Sequence, residues 1–160
     1  MTDVVIPTST DDMLALIAEA RRSQTPLCVR GAGSRLDALP AAIGTPVSML
    51  GFSGIVDHQP DDLAVTVRAG TTIGELEGEL VDHRQSAVLP ETDPDRTIGG
   101  VVSSGDSGHR RLRYGPTSDR VLGVTLVTGY GEVVSLRSCC SYARLARAQR
   151  TCCMPTCSAP

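Results

Sequence analysis

The sequence predicts an α+β domain, and three observations carry the prediction. Short β-branched segments alternate with two stretches of helical periodicity. Glycines close several of those segments and mark turns. Near the end, Gly129-Tyr130-Gly131 separates two apolar runs in the manner of a hairpin. A chain of 160 residues suits one domain. At this size about 68–70% of the unfolded surface is buried, enough for a core without disulfides.

The elements follow in order. Val4-Val5-Ile6 is a strand closed by Pro7. Residues 8–12 supply hydroxyls and carboxylates suited to a helix start. Leu14, Ile17 and Ala18 share one helical face, and Arg21 and Arg22 suit its C-terminal end. Gln24-Thr25-Pro26 turns the chain into the strand Leu27-Cys28-Val29, which runs into Arg30-Gly31-Ala32-Gly33-Ser34. This completes a small β-α-β unit ending in a glycine loop. Short strands are expected at Val47-Ser48-Met49-Leu50 and Ile55-Val56-Asp57, and Leu63-Ala64-Val65-Thr66-Val67 alternates as a half-buried strand should. Thr72-Ile73-Gly74-Glu75 has the capping-box pattern, and Leu76 and Leu80 extend one apolar helical face. Two interior glycines weaken that helix in isolation, so packing must hold it. Residues 90–96 read as loop. Residues 97–108 are small, with Asp106 their one charge, and read either as a loop or as a tightly packed helix start. Residues 121–127 read as a buried strand, and Glu132-Val133-Val134 as its partner.

Composition narrows the function. Fifteen basic and 18 acidic residues give a net charge of −3, and every basic residue is Arg. With one Phe, three Tyr and no Trp, the chain has few stacking platforms and little basic surface, which argues against nucleic acid as a partner. The longest apolar run, residues 121–127, falls far short of the ~20 residues of a membrane-spanning helix. Met1-Thr2-Asp3 opens without a basic or apolar stretch, so no signal peptide is expected.

Two segments could hold a ligand. Glycines at 31 and 33 let backbone approach an anion closely, and successive N–H groups can cradle phosphate. Leu36 stands where a dinucleotide fingerprint needs its third glycine, and the absence of Lys excludes a Walker loop. Alone, such a loop is most often just a turn. Residues 97–108 could likewise be plain loop, or backbone lying flat against a diphosphate or ring system. Arg110, Arg111 and Arg113 could meet a diphosphate or form a solvated face. Cys28 reads as a small buried hydrophobe. His58, His83 and His109 are scattered along the chain without ligand spacing.

Five motifs occur in order: Arg30-Gly31-Ala32-Gly33-Ser34, Asp61-Asp62-Leu63 with Val65-Thr66-Val67 and Ala69-Gly70, Thr97-Ile98-Gly99-Gly100, Arg113-Tyr114-Gly115-Pro116, and Asp119 with Val121-Leu122-Gly123. Together they resemble the FAD-binding domain of the vanillyl-alcohol-oxidase and p-cresol-methylhydroxylase (PCMH) type, and within it the FAD-binding E subunit of glycolate oxidase. The resemblance covers about residues 4–135. It implies a small β-α-β subdomain followed by a mixed α+β subdomain that is incomplete here, with FAD between them. It implies that Gly31, Ala32, Gly33, Ser34 and Arg35 surround the FAD diphosphate together with Thr97, Ile98, Gly99 and Gly100. Ser103, Ser104 and Gly108 would line the flavin cleft, with Pro90 near the ring. Some members attach FAD covalently through a His at the end of the first loop; Ser34 stands there, so non-covalent FAD is expected. The implied activity is oxidation of a small 2-hydroxy acid to a 2-oxo acid in an intact complex with flavoprotein and iron–sulfur subunits. The catalytic residues are unassigned.

The resemblance stops at residue 135. Residues 1–132 hold 11 Arg, 18 acids and one Cys, a net charge of −7, which fits a reducing cytoplasm. Residues 133–160 hold four Arg, no acid and five Cys. Residues 136–160 are therefore expected to be a disordered, non-family tail. Its cysteines, spaced CC-x11-CC-x3-C, could form a metal-binding module or a redox tail, although paired C-x-x-C knuckles are missing. Its composition favours a third reading, out-of-frame translation of a GC-rich gene after a truncated domain. Such a chain could also be an inactive remnant or a non-catalytic subunit that needs a partner. The out-of-frame reading requires that a single-base shift after the Ser135 codon restores the family continuation, which sequencing the locus checks.

Overall fold

The computed structural model describes residues 4–34, 43–90 and 93–137. Arg35 and the tail from residue 138 onward, both named above, lie outside the described residues.

Helix α1, Thr10–Ser23, begins where its capping residues dictate. The Ser9 hydroxyl accepts from Asp12 N at 3.1 Å, and the Asp12 carboxylate accepts from Ser9 N at 3.0 Å. The same carboxylate accepts from Thr8 N and from Thr8 Oγ1, both at 3.0 Å. These bonds, the Thr8 backbone N–H foremost, hold the Asp12 carboxyl below its ordinary range. A lowered folded-state pKa adds stability above the unfolded value, and that contribution fades as pH falls through the folded one. Acid therefore loosens this turn. The helix stops at Gln24, whose φ of 52° is left-handed.

Strand β1, Leu27–Arg30, pairs in parallel with β2, Thr45–Ser48. The expected first strand is reduced to one bridge, Val5 to Val47, on the opposite side of β2. The β-α-β unit therefore has β2 inserted between its two strands, and Val47 in the middle is fully buried. Strand β2 ends two residues before the sequence pattern does. Met49–Gly51 curl into a 3-10 turn whose start is capped by the Ser48 hydroxyl.

The second layer begins with an antiparallel hairpin. Strand β3, Ile55–Gln59, pairs with β4, Ala64–Val67, across the turn Pro60–Asp62. Helix α2, Ile73–Val81, carries the expected Thr72–Glu75 capping box. Helix α3, Ile98–Ser104, is capped by Thr97 and ends at Gly105 with φ 63°, so the helical reading of residues 97–108 is the correct one for its first half. Ile73, Leu76, Leu80, Leu89 and Val101 form the core, with Val65, Val67, Ala87 and Ile98 packed on it. This packing holds α2 despite Gly74 and Gly78.

A short helix α4, Arg111–Tyr114, and a 3-10 turn, Thr117–Arg120, lead into the hairpin β5, Gly123–Val127, and β6, Val133–Arg137. Strand β5 is not buried as the sequence suggests: Gly123 and Thr125 are exposed, and Leu122 before them is 70% exposed. Among the described residues β5 pairs with β6 alone, so the other edge of β5 is left unpaired. Cys28 is half-buried, short of the buried site expected for it. Strand β6 runs two residues past position 135. No helix among the described residues is long and apolar enough to cross a membrane.

Leu76 sits at the centre of the core and is 3% exposed. Leu76→Ala is expected to destabilise the fold by about 2–5 kcal/mol, through lost burial and a residual cavity. A shift of the urea midpoint at unchanged slope checks it.

Candidate functional site

Two glycine-rich segments, far apart in sequence, meet at one point. A Cβ on Gly31 would lie 2.0 Å from Thr97 Oγ1, so only glycine allows β1 to end against the start of α3. Thr97 is held in place from behind. Residues 69–73 and 94–99 exchange backbone hydrogen bonds: Ile73 N to Arg96 O and Ile98 N to Thr71 O, both at 2.8 Å, and Gly99 N to Ala69 O, also at 2.8 Å. Thr72 and Thr97, the caps of α2 and α3, form a bridge within this seam. Gly99 is itself pressed on Ala69, with 2.8 Å left for a Cβ.

The two segments differ in what they offer a ligand. Among the described residues, no hydrogen bond engages the backbone amides of Ala32, Gly33 or Ser34. Gly33 has φ 83°, a left-handed conformation that turns successive N–H groups toward a common centre. Ala32 and Ser34 are exposed. This loop fits an anionic group such as a diphosphate. At the start of α3 the amides are already used: those of Ile98 and Gly99 in the seam, and that of Gly100 by Thr97 Oγ1 at 3.2 Å. Among the described residues, the start of α3 therefore offers a ligand mainly shape, whereas the first loop offers backbone donors with no partner. Ser103 and Ser104 are exposed on α3, their hydroxyls donating to Gly100 O and Val101 O at 3.2 Å.

On the other side of α3, Gly108 with φ 57° lies against Pro90, where a Cβ would come 3.3 Å from the Pro90 Cα. Three contacts missed by the sequence reading secure this approach. Arg96 Nη1 and Asp106 Oδ2 pair at 2.6 Å, with side chains 8% and 19% exposed. Thr117 donates its hydroxyl to Asp106 O at 2.7 Å and its N–H to Ser107 Oγ at 3.0 Å. The Arg120 guanidinium donates to Tyr114 O at 2.6 Å and Val88 O at 3.1 Å. The available signal was Asp106, the lone charge in a run of small residues. Arg111 and Arg113 are exposed on α4, with Arg113 stacked over Tyr114, which matches the solvated reading. The histidines are less scattered than the sequence suggests: the rings of His58 and His83 lie 4.8 Å apart, because the β3–β4 hairpin packs beside the end of α2.

A glycine loop set against a capped helix start on an α+β frame is compatible with a cofactor-binding domain, and the family match shows that class. The chain belongs to the FAD-binding-domain family of the PCMH type, whose profile matches residues 2–137. It is 32% identical over 124 residues to glycolate oxidase subunit GlcE of Escherichia coli K12, an alignment covering 75% of this chain and 35% of that protein. It is 30% identical over 138 residues to subunit GlcD of the same organism, covering 84% and 28%. D-lactate dehydrogenase of Anaerostipes hadrus is 27% identical over 138 residues, covering 83% and 28%. The chain thus spans about a third of the length of these relatives. The fold matches 6-hydroxy-D-nicotine oxidase of Arthrobacter nicotinovorans with TM-score 0.78 at 22% identity, covering 92% of this chain and 32% of that one. The α+β reading and the family resemblance are both borne out.

Removing the charge of Asp106 leaves Arg96 buried without its counter-ion. Asp106→Asn is expected to cost about 3 kcal/mol of stability, checked by chemical denaturation. The loss should shrink in the double variant Asp106→Asn with Arg96→Met, because the unpaired charge is then gone.

Proposed function

We propose that this chain is the FAD-binding part of a flavin-dependent oxidoreductase resembling a glycolate oxidase subunit. The observation that carries the reading is the contact of Gly31 with Thr97, beside a loop whose amides have no partner among the described residues. Ala32, Gly33 and Ser34 would donate backbone N–H groups to the FAD diphosphate, with Arg35 next in sequence. Thr97, Ile98, Gly99 and Gly100 would form the wall behind it. Ser103, Ser104 and Gly108 would border the flavin ring near Pro90. When bound, FAD supplies the redox chemistry, accepting a hydride from a substrate carbon. The chain supplies binding, orientation and exclusion of water.

The attachment is non-covalent in this reading. Ser34 offers a hydroxyl where covalent members have a histidine, and residues 29–57 contain neither His nor Cys. The relatives support a small 2-hydroxy acid as substrate of the whole protein, and glycolate oxidase subunits as its partners. A cytoplasmic site of action is supported by the single cysteine among residues 1–132. A second reading, a non-catalytic subunit or remnant that needs a partner, is favoured by exposed Leu112 on α4, by exposed Leu122 before β5 and by the unpaired edge of β5 among the described residues.

Titration with FAD, followed by quenching of flavin fluorescence, tests the proposal. Saturable binding is expected, with flavin released by acid precipitation. Gly31→Val should weaken binding at least tenfold by forcing the loop off Thr97, and Arg113→Ala should leave it unchanged. A folded chain that binds no FAD overturns the reading, and flavin that stays with the precipitate overturns the non-covalent part.

A further inference from the structure

The cluster at the C-terminal end of α2 belongs to none of the machinery above. His58, Glu79 and His83 bring one ligand atom each to within 4.8 Å of one another. We propose that these three side chains form a binding site for a divalent transition metal ion of the zinc class.

The argument begins with Gln85. Its Nε2 donates to Pro60 O at 2.7 Å, which fixes the amide so that Oε1 faces His58 Nε2 at 3.2 Å. Oε1 can only accept, so the His58 ring carries its proton on Nε2. In the neutral ring the lone pair then lies on Nδ1, which faces Glu79 Oε1 at 3.8 Å. Two acceptors face each other there, and a cation between them satisfies both. This is the arrangement of a metal-ligating histidine whose other ring nitrogen is oriented by a second hydrogen bond.

The geometry suits such an ion. His58 is anchored, its side chain only 8% exposed, while Glu79 and His83 are exposed and free to close on an ion. Zinc–nitrogen and zinc–carboxylate bonds of about 2.0–2.2 Å put tetrahedral neighbours roughly 3.4 Å apart, so the 3.8 Å His58–Glu79 pair needs little movement and the exposed His83 ring has to close from a separation of up to 4.8 Å. Two imidazoles and one carboxylate select zinc, cobalt or nickel over calcium or magnesium, which prefer all-oxygen sites. Glu79 and His83 stand four residues apart at the helix end, and His58 reaches them from β3 across the hairpin contact.

Equilibrium dialysis of the full chain against Zn2+ tests this, after alkylation of the thiols so that the tail cysteines cannot bind metal. One ion per chain is expected. Glu79→Gln and His83→Ala should each weaken binding at least tenfold while leaving the urea midpoint of the metal-free chain unchanged. Absence of Zn2+ binding after alkylation, as a proton on His58 Nδ1 would require, overturns the proposal. Binding that neither variant weakens overturns it too. The assay contains no flavin, so its outcome is separate from that of the FAD titration.

Discussion

The seam between residues 69–73 and 94–99 is the constraint on which the rest of the molecule depends. It joins two stretches of backbone that each end in a threonine helix cap, and its hydrogen bonds use donors that helix starts otherwise leave unpaired. Its closeness demands residues without side chains. A Cβ on Gly70 would fall 1.9 Å from Met49 O, one on Gly99 2.8 Å from Ala69, and one on Gly31 2.0 Å from Thr97. Three glycines from three parts of the chain thus let the end of β1, the Met49–Gly51 turn and the start of α3 pack against one another or against the seam.

That convergence divides the work at the site. Because the seam and the Thr97 hydroxyl consume the amides at the start of α3, the donor groups are assigned in the proposed function to the first loop and the shape of the wall to the second segment. The Arg96–Asp106 pair ties the residue before α3 to the chain after it, and the Arg120 guanidinium ties that later chain to Val88. Both arginines act on backbone or a single carboxylate inside the fold, which explains how an acidic chain with no Lys still builds a polar interior. The open amides, the positive φ of Gly33 and the Gly108–Pro90 contact lie on two sides of one short helix.

Helix α2 serves two ends at once. Its N-terminus, at Thr72, is part of the seam, and its C-terminus carries Glu79 and leads to His83. Nine residues of helix span about 13 Å, so the histidine cluster is removed from the glycine site while sharing its core. Leu76 and Leu80 hold both in register by packing on Val65, Val67 and Val101.

Much of this was legible in the residues themselves. The capping boxes, the glycine turns, the β5–β6 hairpin and the ordered motifs of the FAD-binding family are local signals, and local backbone chemistry is enough to produce them. Segment lengths and pairings were not legible. Val4-Val5-Ile6 has the β-branched composition of a strand but keeps one bridge, since Pro7 stops the ladder and β2 takes the place beside β1. Residues 121–127 are apolar enough to be buried, yet burial needs a second covering layer, which no local pattern specifies. The sequence alone determined the family and the capped starts of the first two helices. Only the tertiary structure decided that Gly31 rests on Thr97, that the amides of α3 are spent, and that His58 meets His83. Those are contacts between residues far apart in the chain, and they form only when packing of the α2 core brings their elements together.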